Sequence, residues 1–424
     1  MDLYFAYGRS NRTIHLPDQL EIVRIVPKKQ PKTGTNESIV RDALNNPRGT
    51  PKLPEILKKD ALTLVIIPDK TRNARTDIVL PLLLNEIQKA GIRKKNIRFL
   101  FANGNHTGMS PSEKGNIMGA AVLRNGSFQE HDSRRSMVDF LGETTRGVPV
   151  RVNRLVQEAE YVIVVGTIVH HYFAGFGGGP KMIVPGVAAC ETITKNHKLA
   201  VMDETSTLHP NCRPGNVAGN PVYEDIEEAY RMVRVDFSVQ VVLDEAHNIQ
   251  AAFAGDTLQA HRAGRKIIET MNRVSIPKKY DCVIVGGGGF PKDSNLIQAH
   301  KAIYNAFQAV KPGGGLIIFA ECADGIGSKT FLQWFDYPTL NSMKKAVMKN
   351  YTLNGNTALS LKEKLDQSTM YLISELDESV SRKIGFVPVP SFEKAWAKAN
   401  SDFTIHSAAV LQNGDVTLPE VKVH

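Results

Sequence analysis

The stretch LTLVIIPDKTRNARTDIVLPLLLNEIQKAG, Leu62 to Gly91, decides the fold. It opens with a short apolar run, turns through polar residues at Asp69 and continues as a helix-like segment that stops at a glycine. Two later stretches repeat the rhythm: IRFLFANG before SPSEKGNIMGA, and YVIVVGT before ACETITKNHKLAVM. Strand-length apolar runs alternating with helical segments predict a parallel α/β sheet. The second helix carries its own start signal, with Ser110 as N-cap, Pro111 at the first helical position and Glu113 as capping-box partner. In such sheets function collects at the carboxyl ends of the strands. Here those ends read Asp69, Asn103 to His106, and Gly166 to His171.

Farther along, FSVQVVLDEAHNIQAAFAGD reads as a hairpin, a helix starts near Leu258, and RVSIPKKYD has the proline and charge of a linker. The segment from Tyr280 to Cys322 then reads strand, glycine turn, amphipathic helix, glycine stop and strand, which is one βαβ unit. A strand-like TMYLISEL follows, and DFTIHSAAVLQNGDVTLPEV is read as strands returning to the first sheet. The expected layout is two α/β domains with Rossmann-like parallel sheets and an active-site cleft between them. Their expected bounds are residues 1–273, completed by 404–424, and residues 274–403. Hinges are expected near residue 276 and over residues 400–405.

A chain of 424 residues, 42% of them hydrophobic, can bury cores of this size. Lys and Arg number 52 against 43 Asp and Glu, a net charge of +9 that suits anionic small molecules or nucleotides. The basic residues are scattered and lack the aromatic interleaving of a nucleic-acid surface, so no nucleic-acid partner is expected. Cys190, Cys212, Cys282 and Cys322 form no CxxC pair, which excludes a zinc knuckle and a disulfide framework. With no signal-like apolar segment at the start and no run long enough to span a membrane, the protein is expected to be soluble and cytoplasmic. Oligomeric state is not legible.

The richest segment is TIVHHYFAGFGGGPKMIVPG, Thr167 to Gly186. It is not a phosphate-binding P-loop, because Pro180 stands at the second glycine and Met182 at the hydroxyl that would hold Mg²⁺. The dinucleotide fingerprint fails at Pro180 and again at Pro291 in GGGGFP. Either glycine loop is still able to bind phosphate through backbone N–H groups. On a continuing strand His170 and His171 point to opposite sides. Lys181 follows His171 by ten residues and His197 by twenty-six, the latter inside a helix-like stretch.

Five ordered motifs carry a resemblance: PDKTRNAR, NGNHTGM, HHYFAGFGGGPK, a later NH and GGGFPKDSNL. Over most of its length the chain resembles the nickel-pincer-nucleotide lactate racemases and their homologues, the 2-hydroxy-acid racemases and epimerases. The resemblance implies an isomerase that inverts C2 of a 2-hydroxy acid by transient hydride transfer to a lysine-tethered nickel-pincer nucleotide. That cofactor is a pyridinium-derived mononucleotide carrying Ni(II), joined covalently to Lys181, with His197 as the protein's metal ligand. Square-planar Ni(II) accepts a soft donor set completed by imidazole. Gly177, Gly178 and Gly179 let the flat group approach the backbone, and Asp69 orients local groups or touches the cofactor.

Further roles follow from the same resemblance. His106 and His171 serve as paired bases for the hydroxyl proton, one for each face of the carbon, with His170 the adjacent alternative. Arg72 binds the substrate carboxylate through its planar fork. Lys292 reaches the substrate from the second domain and polarises it. Cofactor-maturation enzymes are implied as partners, so protein made without them is expected to be empty. Where family members carry a Gly-x-His-Lys-Ala segment, this chain has Asn356 and Thr357, which suits a longer or hydroxylated acid, such as a sugar acid, as well as lactate. The competing readings are a non-catalytic carboxylate- or nucleotide-binding homologue and a nicotinamide-dependent oxidoreductase.

Overall fold

The computed structural model describes residues 2–16, 21–123, 127–202 and 208–422. Two compact units emerge, each with its own six-stranded sheet. The first comprises Gln30–Leu199 and Asn211–Glu269; the second comprises Met1–Lys29, Ala200–Pro210 and Thr270–His424.

In the first unit the sheet order is Ile249–Gly255, Phe237–Leu243, Tyr161–Thr167, Thr63–Pro68, Ile97–Ala102 and Ser127–Glu130. All neighbours are parallel except the expected hairpin between Phe237–Leu243 and Ile249–Gly255. The opening apolar run explains itself here, because a parallel strand buried on both faces needs no polar alternation. Val65 and Ile67 join Phe99, Phe101, Ile163 and Val165 in one cluster. Leu64, Ile66, Val162 and Val164, which point the other way along the same strands, are equally buried. Helix Thr76–Lys89 closes the decisive stretch, and the capping box at Ser110 forms as expected: Glu113 Oε2 accepts the Ser110 N–H at 2.7 Å and Ser110 Oγ the Glu113 N–H at 3.3 Å.

The second unit's sheet is parallel throughout, in the order Val387–Pro388, Thr369–Ile373, Val310–Phe319, Tyr280–Gly286, Ser407–Leu411 and Glu21–Arg24. Successive residues feed opposite cores. Val283, Val285, Leu316 and Ile318 face one cluster, while Cys282, Ile284, Ile317 and Phe319 face the other, where Phe319 stacks on Phe5 at 4.6 Å.

The expected boundaries therefore need correction. Residues 404–424 belong with the second unit, not the first, because Ser407–Leu411 enters its sheet, and Met1–Lys29 belongs to the same unit. Ser407–Leu411 is small, apolar and buried throughout, which suits an interior strand between two parallel neighbours. Alternation alone could not say which sheet it joins. The stretch read as a linker is likewise a strand, Arg273–Ile276, paired with Leu418–Val421. No helix among the described residues is long and apolar enough to cross a membrane, and all four cysteines are free.

Candidate active site

The motif residues of the first unit stand at its strand ends because tight turns hold them there. After Thr63–Pro68 the chain turns on Asp69: its carbonyl accepts the Arg72 N–H at 3.1 Å, and its Oδ1 accepts the N–H and hydroxyl of Thr71 at 3.0 and 2.8 Å. That turn fixes the Asp-x-x-Arg spacing. After Ile97–Ala102 a second turn, His106 N–H to the Asn103 carbonyl at 2.9 Å, brings His106 back toward the first. His106 Nδ1 donates to Asp69 Oδ2 at 2.6 Å.

This pair resembles an oriented acid–base group. Asp69 is 2% exposed and His106 40%. Burial alone would raise the Asp69 carboxyl, but the charge and hydrogen bond of His106, with help from Arg72 and Thr71, outweigh it and hold it below the usual carboxylate range. With Nδ1–H committed to the carboxylate, the neutral ring keeps its lone pair on Nε2. Arg72 rests its Nη1 on the Thr71 carbonyl at 3.0 Å, and burial lowers its affinity for the proton while Asp69 raises it.

A second group gathers about Phe173. The His171 ring lies edge-on to it at 4.7 Å, the His197 ring edge-on at 5.0 Å, and Lys181 Nζ over its face at 5.4 Å. The two adjacent histidines diverge as the strand period requires. His171 stacks on Tyr172 and accepts the Ala174 N–H on Nδ1 at 3.3 Å, which leaves its neutral proton on Nε2. His170 turns instead to Phe176 and to Glu269, whose Oε1 lies 2.9 Å from its Nε2.

Lys181 sits in the short turn Gly179–Met182. Burial, with Arg72 nearby, brings its amine down to about 7, so much of it is uncharged and nucleophilic at neutral pH. His197 closes helix Cys190–Lys198, which is pinned from two sides: Thr192 Oγ1 donates to the Pro149 carbonyl at 2.6 Å, and Asn196 Nδ2 donates to Asp225 Oδ2 at 2.8 Å. Burial first, then Lys181 and His106, lower the His197 imidazole to about 3, and its Nε2 is buried without a hydrogen-bond partner among the described residues. A neutral, unpartnered imidazole nitrogen of this kind fits a metal ligand. Among the described residues no three His, Cys, Asp or Glu side chains form a metal-binding set, so a metal bound at His197 has to bring its other donors with it.

The glycine segment is built for close packing. A Cβ on Gly178, where φ is +73°, would stand 2.5 Å from the Thr167 carbonyl oxygen, and one on Gly179 would meet the His261 ring at 2.6 Å. Its N–H groups are not all available for a phosphate. Gly177 donates to the Val169 carbonyl at 2.8 Å and Gly179 to Gln240 Oε1 at 2.9 Å, while His261 Nε2 donates to the Gly177 carbonyl at 2.9 Å. Two of the amides expected to meet a phosphate are thus committed within the fold, where the segment packs as a wall beside Lys181.

Phe173, Gln240 and His261 went unremarked in the sequence. A signal existed only for Gln240, a polar residue in the middle of the apolar FSVQVV. Lys292 belongs to the second unit, where its Nζ lies 3.4 Å from Asp415 Oδ2. Asn356 and Thr357 are also there, buried in the first turn of helix Gly355–Leu365, with Asn356 Oδ1 accepting from Tyr351.

Comparison with known proteins adds to this picture. Residues 7–209 match the lactate racemase N-terminal domain and residues 276–414 the lactate racemase C-terminal domain. The chain is 36% identical over 338 residues to the lactate racemase of Thermoanaerobacterium thermosaccharolyticum, covering 79% of this chain and 78% of that protein. It is 33% identical over 300 residues to the lactate racemase of Lactiplantibacillus plantarum, covering 70% and 69%. The structure of the T. thermosaccharolyticum lactate racemase apoprotein superposes with a TM-score of 0.89 at 29% identity, covering 99% of this chain and 100% of that one. A protein from Thermotoga maritima shares the fold at a TM-score of 0.73 and 20% identity, over 93% and 100%.

Proposed function

The chain belongs to the lactate racemase family and is an isomerase, and on that premise we propose that it inverts C2 of a 2-hydroxy acid, with lactate the first substrate to test. The observation that carries the reading is the buried Asp69 holding His106 at 2.6 Å beside the cluster of His171, Lys181 and His197 about Phe173. Arg72 binds the substrate carboxylate through its guanidinium fork. His106 Nε2 then takes the proton from the substrate hydroxyl, and Asp69 stabilises the imidazolium that results. His171 serves the other face of the carbon, taking the hydroxyl proton on Nδ1 once that nitrogen releases the Ala174 N–H. By motif match, Lys292 is the proposed group that polarises the hydroxyl oxygen as charge develops on it.

Lys181 and His197 suit a nickel-pincer nucleotide. The lysine offers an uncharged amine for covalent attachment, and the histidine an unpartnered nitrogen for the metal. When bound, that group supplies an acceptor for the hydrogen that leaves C2 with its electron pair. The dense wall of Gly177 to Gly179 keeps water from the space beside the amine. Asn356 supports a second substrate arm, a longer or hydroxylated acid.

The test is loss of optical purity of L- and D-lactate by protein produced together with cofactor-maturation enzymes, with intact mass and nickel content measured on the same sample. Lys181→Ala should carry no adduct and no activity. His106→Ala should keep the adduct and lose about 10²–10⁴ in kcat. Racemisation surviving in Lys181→Ala would overturn the covalent attachment, and full turnover in His106→Ala would overturn the base.

A further inference from the structure

Helices Pro221–Arg231 and Thr257–Asn272 of the first unit border a surface groove of about 430 Å³ that the reaction above leaves unused. Its walls carry Glu224, Glu227, Glu228 and Arg231 from the first of these helices and Arg262 and Arg265 from the second. The glutamates are already engaged. Glu224 accepts from Arg146 at 2.6 Å and from the Gly219 N–H at 2.7 Å, Glu227 accepts from Arg231 at 2.6 Å, and Glu228 accepts from the N–H and hydroxyl of Thr145 at 2.7 and 2.8 Å. Among the described residues no carboxylate pairs with Arg262 or Arg265, which stand three residues apart and so share a helix face. An adjoining hollow of about 530 Å³ shares Arg231 and Arg262, adds Arg48 and Lys266, and has Asp256 as its one carboxylate. Asp256 is itself occupied in capping the helix, accepting the Gln259 N–H at 2.9 Å.

Arg265 also connects the groove to the segment that bears Lys181. Its guanidinium lies over the rings of Phe176 and Tyr223, at 5.5 and 5.6 Å. The Tyr223 hydroxyl is 3.5 Å from Arg265 Nη1 and 3.3 Å from His261 Nδ1, and His261 Nε2 holds the Gly177 carbonyl. A group that draws Arg265 into the groove acts on Tyr223, and through the His261 ring on the glycine wall.

We propose that this groove binds an oxyanion of a small molecule, a carboxylate or phosphate group gripped by Arg262 and Arg265, and that its occupancy is transmitted to residues 175–181. Guanidinium matches the two-oxygen edge of either group. The proposal rests on the first unit alone and does not depend on the racemase reading.

Calorimetric titration of the full chain at low ionic strength, with inorganic phosphate and separately with acetate, tests it. Saturable one-to-one binding of at least one anion is expected, weakened about tenfold in Arg262→Ala and in Arg265→Ala. Arg382→Ala, which removes an exposed arginine of the second unit, should bind as the parent does. The anion that binds identifies which oxyanion the groove accepts. Arg262 is exposed, so Arg262→Glu separates loss of binding from loss of folding, which thermal unfolding checks in parallel. Saturation should slow amide hydrogen exchange over residues 175–181 severalfold. Binding of neither anion, or equal binding in the arginine variants, overturns the site, and unchanged exchange at saturation overturns the coupling.

Discussion

Asp69 accepts three hydrogen bonds on its two oxygens, two from Thr71 and one from His106, and the stability they contribute depends on pH. Its folded carboxyl titrates below the unfolded value of about 3.9, so the contribution is fully present above that value and is lost as pH falls through the folded one. Asp69→Asn should cost about 1–3 kcal/mol at pH 7 by urea denaturation, and the gap to the parent should close below about pH 4. The same variant should lower kcat, because the amide no longer stabilises a charged His106 ring. A parallel pH dependence at Asp69→Asn and parent would refute the account. Lys181 gives a second titration: in cofactor-free protein its acylation should rise with pH through about 7, whereas exposed lysines respond near 10. Peptide mapping after brief labelling at stepped pH reads both. The candidates Asp69, Arg72, His106 and His171 were legible because strand ends in a parallel sheet gather polar residues. Phe173 was not, since an aromatic beside two histidines reads as ordinary core until its three neighbours are seen in space.

Within elements, the glycine segment is the most constrained. Gly178→Ala meets both a left-handed backbone and the Thr167 carbonyl, whereas Gly313→Ala, at φ +77° with nothing near its Cβ direction, meets the backbone strain alone. The first should therefore destabilise by more than the second, for which about 1–2 kcal/mol is expected, in paired thermal melts. Gln240→Ala leaves the buried Gly179 N–H without its acceptor and should cost about 1–3 kcal/mol; cofactor attachment measured by intact mass should fall with it. An attachment yield equal to the parent's would leave Gln240 no part in shaping the site. The helix start at Ser110 and the hairpin after Phe237 were readable because each is a local pattern of a few residues. Gln240 and His261 act on the glycine segment from 61 and 84 residues away, a separation that periodicity does not span.

Across the whole molecule, fold class was readable from the strand and helix rhythm, but the division into units was not. The short apolar run Ser407–Leu411 marks a strand without naming its neighbours, and those neighbours, Tyr280–Gly286 and Glu21–Arg24, come from widely separated parts of the chain. Deleting residues 404–424 should accordingly unfold the second unit and leave the first with its cooperative transition, a loss visible as one missing step in denaturation followed by circular dichroism. Loss of the first unit's transition with the second's retained would restore the original boundary, and two intact transitions would show that neither unit needs the segment. The same pairing also sets a timetable for synthesis. The first unit has its last residue at Glu269, while the strand at Glu21–Arg24 waits for its sheet neighbour Ser407–Leu411 until roughly 380 further residues have been added, about 20–80 s at ordinary rates of elongation. A nascent chain thus carries the strand at Glu21–Arg24 unpaired while the first unit is completed, and the interval in which it most needs a chaperone falls before Ser407–Leu411 leaves the ribosome.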